Sequence, residues 1–332
     1  MTQKAIVTGG AGFIGAHVSR ELIENGIDVV VLDDLSGGFA DNLPEGAEFV
    51  QGSVLDHELI DRLFDEHHFD FVFHLAAYAA EVLCHHIRRY NYTNNLVGSV
   101  NLINPAIRHD VKCFVFTSSI AVYGSTPPPM KEDDHPQPED PYGIAKLAVE
   151  MDLKAANQMY GLPYVIFRPH NVYGELQNIG DRYRNVIGIF MNQIMQQRPM
   201  TIFGDGEQTR AFSYVGDVAP IIARAPFVAD AHGEVFNVGA HQPYSINQLA
   251  NVIAAAMGVE PDLSHVEARH EVAEAYCSHG KVERVFDCTP QFSLEEGVGR
   301  MADWARTVGR RSGEPFRHIE VERGLPASWR ST

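Results

Sequence analysis

Tyr142 and Lys146 lie four residues apart in the stretch PYGIAK, where a phenol and an ammonium could carry acid–base chemistry. Four residues make about one helical turn, so the two side chains share one face of a predicted helix. A phenol has an unperturbed pKa of about 10, and a nearby positive charge lowers that pKa. The pair therefore indicates either a general base or, as is usual for an isolated Tyr and Lys at this spacing, an ordinary helix surface.

Ser118 and Ser119 end the apolar run VKCFVFTSS, which is typical of a buried strand. Ligands of open α/β sheets bind at the carboxyl ends of parallel strands. We therefore expect Ser119 to share a crevice with Tyr142 and to orient the reacting oxygen of a substrate by hydrogen bonding.

The stretch TGGAGFIG places glycines 9, 12 and 15 between the first predicted strand and the first predicted helix. Glycine allows backbone N–H groups and a helix N-terminus to approach a diphosphate. Asp33 ends the second predicted strand, where a carboxylate can accept hydrogen bonds from the adenosine ribose. No arginine directly follows Asp33, which favours NAD over NADP. The residues predicted to bind NAD here are Gly9, Gly12, Phe13, Ile14, Asp33 and Asp34.

Short apolar runs alternate with helical patterns through the first half of the chain. Such an alternation predicts an α/β fold with a Rossmann-type, doubly wound parallel sheet that helices cover on both faces. The predicted strands lie near residues 4–10, 28–36, 47–54, 69–77, 111–119 and 163–171. The predicted helices lie near residues 16–26, 57–67, 92–110 and 142–160.

The alternation weakens after Asn171, which predicts a second and smaller α/β unit. It would contain helices near residues 186–197 and 245–258 and short strands near 200–204 and 234–239. We predict an NAD-binding domain at residues 1–170, with a returning segment at about 210–240. Residues 171–332 would form mainly a C-terminal substrate-binding domain.

Composition excludes several classes of protein. The net charge of −17 argues against a nucleic-acid partner, which needs a concentrated basic surface. No stretch approaches the roughly 18 apolar residues of a membrane helix, and the N-terminus lacks the pattern of a signal peptide. These features predict a soluble, cytoplasmic protein without membrane contact. No metal site is predicted, because the adjacent His85 and His86 would point to different faces of a helix.

Together these motifs resemble those of the extended short-chain dehydrogenase/reductases that act on nucleotide sugars, and most closely those of UDP-sugar 4-epimerases. The resemblance runs along nearly the whole chain and is more specific for the family than for the substrate. It rests on TGGAGFIG, LDDLS, FHLAA, YNYTNNLVGSVNLI, FTSSIAVYG, PYGIAK, FRPHNVYG, TIFGDGEQTRAFSYVGDVA and FNVG.

The resemblance implies further contacts to NAD. Ser53 and Val54 occupy the positions that flank adenine, although many relatives carry Asp in place of Ser53. Ala79 stands where the 4-epimerases often carry Lys. Residues that line the cofactor, lie near the active site or hold the nicotinamide ribose would be Leu75, Ala76, Ala77, Asn95, Tyr142 and Lys146.

The resemblance also implies contacts to a UDP-sugar. Arginine suits a diphosphate, because its hydrogen bonds to an anion are charge-assisted. The implied substrate-binding residues are Ser119, His170, Asn171, Asn185, Val186, Arg210, Arg269 and Glu271. The residue that gates the sugar would be Ala275 or Tyr276, with Tyr favouring glucose and galactose and Ala admitting N-acetylated sugars. Relatives commonly form homodimers through the helix near residues 95–109 and the Tyr142 helix.

Two positions discriminate between related reactions. Nucleotide-sugar dehydratases carry Asp-Glu where this chain has Ile120 and Ala121, and decarboxylating relatives carry Glu at the second position. Neither Ile nor Ala transfers a proton. We therefore predict C4 epimerisation of a UDP-sugar, with UDP-glucose and UDP-galactose first. The alternatives are UDP-N-acetylglucosamine or UDP-glucuronate as substrate, net oxidation or reduction at C4, and an NAD-binding redox sensor or scaffold.

Overall fold

A parallel sheet of seven strands forms the centre of the described part of the protein. The computed structural model describes residues 2–268, 272–313, 316, 319–326 and 329. From edge to edge, the sheet contains β11 Glu234–Val238, β6 Tyr164–Pro169, β5 Cys113–Thr117, β4 Phe71–His74, β1 Lys4–Thr8, β2 Asp28–Asp33 and β3 Glu48–Gln51.

Helices cover both faces of this sheet, because successive strand residues point to opposite sides. Val7 belongs to the apolar cluster that contains Val18 and Leu22 of the first helix. Its neighbour Ile6 belongs to a separate cluster on the other face. The helices are α1 Phe13–Glu24, α2 His57–His67, α3 Arg88–Tyr92, α4 Gly98–Arg108, α5 Pro141–Tyr160, α6 Val186–Met195, α7 Val215–Arg224, α8 Ile246–Met257, α9 Gly280–Phe286 and α10 Leu294–Val308.

Small sheets and the helices α6, α8 and α10, which pack against one another, form much of the region beyond β6. Strands β7 Val172–Tyr173 and β10 Ser213–Tyr214 pair with each other, and β8 Met200–Phe203 pairs with β13 Leu263–Val266. Strand β9 Thr209–Ala211 lies between β12 Pro243–Ser245 and β14 Glu274–Ala275. Capping boxes begin α8 at Ser245 and α10 at Ser293, where each serine accepts a backbone N–H bond and so fixes the start of the helix.

The structure confirms the predicted Rossmann-type parallel sheet. The segment expected to return to the first domain supplies α7, which packs against α1, and β11, which pairs with β6 at the sheet edge. The domain boundary near residue 170 stays a prediction. Within the described residues, none of the helices is both long and apolar enough to span a bilayer.

Candidate active site

The glycine loop forms a backbone cradle before α1. Gly9 adopts a φ of +72°, and a β-carbon there would lie 2.7 Å from the backbone nitrogen of Ala76. A β-carbon on Gly15 would lie 2.1 Å from the carbonyl oxygen of Gly9. These contacts require glycine, and they bring the N-terminus of α1 close to the carboxyl ends of β1 and β4, where it can bind an anion.

Asp33 lies at the carboxyl end of β2 and is only 8% exposed. Its carboxylate accepts hydrogen bonds from the backbone nitrogens of Ala11, at 3.1 Å, and Leu35, at 2.8 Å. Burial raises its pKa, while these two hydrogen bonds act in the opposite direction. The loop therefore holds a carboxylate beside the glycine cradle, as a ribose-binding acid requires.

Ser119, Tyr142 and Lys146 lie together at the carboxyl end of β5. Ser119 follows the strand, and its hydroxyl accepts a hydrogen bond from the backbone nitrogen of Ala121 at 3.1 Å. Asp140 caps α5 through the nitrogen of Gly143, so Tyr142 and Lys146 occupy the first turns of that helix. The Lys146 ammonium lies 5.8 Å from the centre of the Tyr142 ring. Strand end and helix start thus bring three separate motifs into one site.

Burial dominates the protonation of this site. Burial and the negative charge of Glu81 raise the pKa of Tyr142, whereas its hydrogen bond with Ser119 lowers that pKa. Burial also lowers the pKa of Lys146 to about 7, with Glu150 opposing this effect. The spacing of Tyr and Lys predicted a lowered phenol pKa, but the protein's own groups have the opposite net effect. A further positive charge beside the phenol would favour its ionised form.

One continuous pocket of about 1750 Å³ connects the glycine loop with Tyr142. This volume exceeds the roughly 300–1,000 Å³ of a site for one small molecule, so it suits two ligands end to end. At the glycine end, the predicted residues that line it are Gly9, Gly12, Phe13, Ile14, Asp33 and Asp34. Its middle is lined by Val54, Leu75, Ala76 and Ala77, and the reacting end by Ser119, Tyr142 and Lys146.

Four residues predicted to bind substrate also line this pocket, namely Asn171, Asn185, Val186 and Arg210. Asn171 has a φ of +40°, which is uncommon for a residue other than glycine, and its amide donates to the oxygen of Ala211 at 3.1 Å. Asn185 caps α6 by accepting from the nitrogen of Ile187. The roles of these residues stay predictions. Arg269 and Glu271 lie outside the described residues.

Three predicted contact residues, Ser53, Asn95 and His170, are not among the residues that line the pocket, and their roles stay predictions. Ser53 closes a turn before α2, where its hydroxyl accepts from the nitrogen of Leu55. Asn95 is 1% exposed, and its side-chain amide makes two hydrogen bonds with the backbone of Tyr78. The amide oxygen accepts from the nitrogen of Tyr78 at 2.8 Å, and the amide nitrogen donates to the carbonyl oxygen of Tyr78 at 3.1 Å. Asn95 therefore holds the backbone of Tyr78, which lines the pocket.

His170 is the third of these residues. It is 2% exposed and stacks on His279 with ring centres 5.1 Å apart. Burial lowers its pKa to about 4, so the imidazole is neutral near pH 7. His170 is not among the residues that line the pocket, whereas the next residue, Asn171, is.

Glu81 is a pocket residue that the sequence did not reveal. It lies after β4 in the loop that lines the reacting end, and its charge acts on Tyr142. The strand-end positions Ile120 and Ala121 predicted no second acid near Tyr142, whereas Glu81 belongs to a different loop. The available signal was the acid itself, five residues after Ala76 in the segment FHLAAYAAE.

The residues present fit NAD. The glycine cradle offers backbone N–H groups to a diphosphate, Asp33 offers a carboxylate to a ribose, and the small Ala76 and Ala77 leave room along the pocket. Ala275 also lines the pocket, next to Arg210 in paired strands β14 and β9. Within the described ranges, no group of three or more His, Cys, Asp or Glu side chains is arranged to hold a metal ion.

Comparisons with known proteins agree with this geometry. The model of the NAD dependent epimerase/dehydratase family matches residues 5–239. The chain is 34% identical over 312 residues to the UDP-glucose 4-epimerase of Mycolicibacterium smegmatis, covering 91% of this chain and 98% of that protein.

Two solved structures are similar along almost their entire chains. The UDP-glucose 4-epimerase of Thermotoga maritima with UDP-glucose has a TM-score of 0.87 and 35% identity, covering 92% of this chain and 99% of that one. The UDP-N-acetylglucosamine 4-epimerase of Methanobrevibacter ruminantium, in complex with UDP-N-acetylmuramic acid, has a TM-score of 0.84 and 30% identity, covering 93% and 100%.

Proposed function

Since the chain belongs to the NAD-dependent epimerase/dehydratase family and is an NAD-dependent nucleotide-sugar epimerase, we propose that it interconverts UDP-glucose and UDP-galactose. The reaction would invert C4 through a transient 4-keto sugar. The observation that carries this proposal is the position of Tyr142, which shares one continuous pocket with the glycine cradle and Ser119.

Each group at the reacting end has a role in this proposal. Tyr142 removes the proton from the C4 hydroxyl and later returns it to the 4-keto oxygen. Ser119 hydrogen bonds with Tyr142 and holds the reacting oxygen. Lys146 donates to the carbonyl oxygen of Thr117 at 2.7 Å, which fixes its ammonium at the reacting end of the pocket, 5.8 Å from the centre of the Tyr142 ring. NAD, when bound, supplies a hydride acceptor and donor and a positive charge that favours the Tyr142 phenolate.

Net oxidation or reduction at C4 is the alternative use of the same site. The two reactions differ in whether the cofactor returns to its starting form. An epimerase yields the 4-epimer without net NADH, whereas stoichiometric NADH with product would contradict epimerisation. A redox sensor or scaffold is disfavoured, because the Tyr and Lys that chemistry needs are both in the pocket.

Charges of both signs act at the reacting end. Glu81 and Asp140 raise the pKa of Tyr142 electrostatically, whereas Arg184 lowers it. Charge alone therefore does not discriminate between a neutral sugar and UDP-glucuronate as the substrate.

One observation favours UDP-N-acetylglucosamine as a second candidate. Ala275, rather than Tyr276, lines the pocket, and a methyl side chain leaves space that a phenol would fill. An N-acetyl group adds bulk that this space could accept. The decisive experiment incubates the protein with UDP-glucose, UDP-N-acetylglucosamine and UDP-glucuronate in turn and follows the 4-epimer by NMR. The proposed substrate class is wrong if none of the three is epimerised.

Ala275→Tyr should narrow the sugar pocket. We expect turnover of UDP-N-acetylglucosamine to fall by about tenfold or more, since an added ring overpacks the space near the sugar, while turnover of UDP-glucose changes much less. Values of kcat/KM for both substrates measure the effect. Ala273→Tyr is the matched control, because Ala273 is exposed outside the pocket. Equal losses for both sugars in Ala275→Tyr would refute the gating role.

We also propose that two copies of the chain pair through α4 and α5. An exposed apolar stripe on α5 includes Ile144, Met151 and Met159, which are 41%, 63% and 74% exposed. Spacings of seven and eight residues place them on one helix face. Val97, at the start of α4, is 49% exposed and extends the apolar surface. A second copy would bury both helices in a four-helix bundle.

Met151→Glu should convert this dimer to a monomer. Burying an unpaired carboxylate between two apolar helix faces is strongly unfavourable, so the two copies should separate. Sedimentation velocity at micromolar concentration measures the result. Val259→Glu is the control, because Val259 is exposed and apolar but lies at the end of α8. A monomeric wild type, or a Met151→Glu variant that stays dimeric, would contradict the interface.

A further inference from the structure

Residues 311–313, which follow α10, line the pocket and include Arg311. The side chain of Asn192 makes two hydrogen bonds with the backbone of Arg311. The amide nitrogen of Asn192 donates to the carbonyl oxygen of Arg311 at 2.8 Å, and the amide oxygen of Asn192 accepts from the backbone nitrogen of Arg311 at 3.0 Å. A β-carbon on Gly313 would lie 1.8 Å from the oxygen of Gly180, so these two backbones touch. The backbone at residues 311–313 therefore has a fixed place against the pocket wall.

Two described residues farther along the chain also contact the loops beside the pocket. Phe316 packs against Tyr78 and Tyr90, with ring centres 5.2 and 5.0 Å apart. The carboxylate of Glu320 accepts from two backbone nitrogens at the start of α3, at 2.8 and 3.0 Å. Phe316 and Glu320 therefore lie against elements that flank the pocket.

The side chain of Arg311 reaches back towards the glycine loop. Its guanidinium carbon lies 4.0 Å from the centre of the Phe39 ring. Its Nη1 is buried and has no hydrogen-bond partner in the part of the chain that the structure describes. A buried guanidinium N–H without an acceptor is unfavourable, so this position suits an anionic ligand.

Arg184 approaches the same place from the loop before α6. Its guanidinium carbon lies 4.7 Å from the centre of the Tyr78 ring, and a β-carbon on Gly37 would lie 3.2 Å from its Nη2. Its Nε lies 3.0 Å from a carboxylate oxygen of Asp181 but is not aligned for a hydrogen bond with it. Asp181 therefore offsets part of the charge of Arg184, while the Nη2 of Arg184 lies close to Gly37.

Both arginines contact the loop at residues 37–39, which lies directly on the glycine loop. The nitrogen of Phe39 donates to the oxygen of Ala11 at 3.0 Å. A β-carbon on Gly38 would lie 2.8 Å from the nitrogen of Gly12. Arg184 and Arg311 thus stand next to the start of α1, where the backbone offers N–H groups to a diphosphate.

We propose that Arg184 and Arg311 bind the diphosphate of NAD together with the glycine loop, so that the C-terminal segment retains the cofactor during turnover. The inference rests on NAD being the cofactor. Guanidinium groups bind phosphate through paired, charge-assisted hydrogen bonds. They would also counter the repulsion that a chain with a net charge of −17 exerts on an anionic ligand.

Exchange of NAD from the holoenzyme tests this proposal. Arg184→Gln, Arg311→Gln and Arg310→Gln are each loaded with NAD and diluted into excess etheno-NAD, and the release of NAD is followed with time. Arg310 is the control, because it is exposed, lies outside the pocket and loses the same charge. A charge-assisted hydrogen bond contributes about 1.5–3 kcal/mol, which is about tenfold to 150-fold in binding. We expect release to accelerate by about tenfold or more in the first two variants only.

Binding of UDP, measured by calorimetry on the same variants, separates the two possible diphosphates. Unchanged UDP affinity with faster NAD release supports the proposal. Reduced UDP affinity with unchanged NAD release would overturn it and assign the arginines to the nucleotide sugar. Release rates within twofold of wild type, or equal acceleration in Arg310→Gln, would also overturn it. If Arg311→Gln does not fold, Arg184→Gln and Arg311→Lys decide, and wild-type release in both refutes the proposal.

This test is independent of the sugar. A wild type that binds NAD but epimerises no UDP-sugar would contradict the proposed function, and the exchange rates would still decide the role of the arginines. A wild type that does not bind NAD would overturn this inference.

Discussion

Tyr142→Phe should abolish epimerisation while leaving NAD bound. The Tyr142 phenol is the proposed base on the C4 hydroxyl, and phenylalanine has no group that can accept or donate this proton. General acid–base catalysis by a positioned side chain contributes about 10²- to 10⁴-fold, so kcat should fall by that amount. Tyr142 is 6% exposed, and phenylalanine keeps the ring that packs there. The fold and the glycine cradle should therefore be unaffected.

Two measurements separate a lost base from a damaged site. The ratio of NAD to protein, determined after acid release, should equal that of the wild type. Values of kcat and KM should show the loss in kcat. Tyr160→Phe is the matched control, because Tyr160 ends the same helix and is 66% exposed. A Tyr142→Phe variant with kcat within tenfold of wild type would remove Tyr142 as the base, and Glu81 would become the next residue to test.

The sheet and the cofactor loop could be predicted because their signals are local. Gly9, Gly15 and Asp33 sit within or beside short apolar runs, and the requirement for glycine arises from contacts within that βαβ unit. Helix α5 has its signal in its own first turn, where Asp140 caps the helix that carries Tyr142 and Lys146. Such features need only the geometry of one strand, one turn and one helix.

Side-chain direction at the strand ends was less predictable. His170 and Asn171 are adjacent just after β6, yet His170 stacks on His279 and Asn171 lines the pocket. Asn171 adopts a φ of +40°, so the chain leaves the extended conformation there and the alternation of a strand does not indicate which side chain faces the pocket. A sequence motif that contains both residues does not indicate which of them faces the pocket.

Contacts between distant parts of the chain had no local signal at all. Arg311 stacks on Phe39 only because α10 ends beside the pocket and Asn192 fixes the backbone that follows. Glu81 acts electrostatically on Tyr142 from an irregular loop that has no hydrophobic periodicity. Such positions depend on how the second region packs against the sheet, which no short pattern encodes.

Glu150→Gln should cause the largest loss of stability of any single change considered for this protein. Glu150 is 0% exposed and Arg168 is 2% exposed. The carboxylate accepts from Nε and Nη2 of Arg168 at 2.9 and 2.6 Å and from the hydroxyl of Ser118 at 2.5 Å. An uncharged partner leaves the Arg168 guanidinium buried without its counter-ion. Breaking a buried pair in this way costs about 3–5 kcal/mol of unfolding free energy.

Urea denaturation of wild type and variant, both saturated with NAD, measures the change without a difference in cofactor content. Asp303→Asn is the control, because the Asp303–Arg306 pair is exposed and such pairs contribute about 0–1 kcal/mol. A loss below about 1 kcal/mol in Glu150→Gln would contradict the argument. The same variant should also disturb the strand end that positions Ser119, because Ser118 loses its charged acceptor.

A double variant shows whether the ion pair stabilises the fold or only becomes costly when it is broken. Glu150→Leu with Arg168→Met removes both charges and fills similar volume with apolar groups. Desolvation of two ions often offsets their attraction, so the double variant should recover much of the stability lost in Glu150→Gln. Full recovery with impaired turnover would mean that the pair is retained for the position of Ser118 and the charge of Lys146. If the double variant does not recover stability, the hydrogen bonds that Arg168 makes with Tyr123 and that Glu150 makes with Ser118 contribute to the stability of the fold.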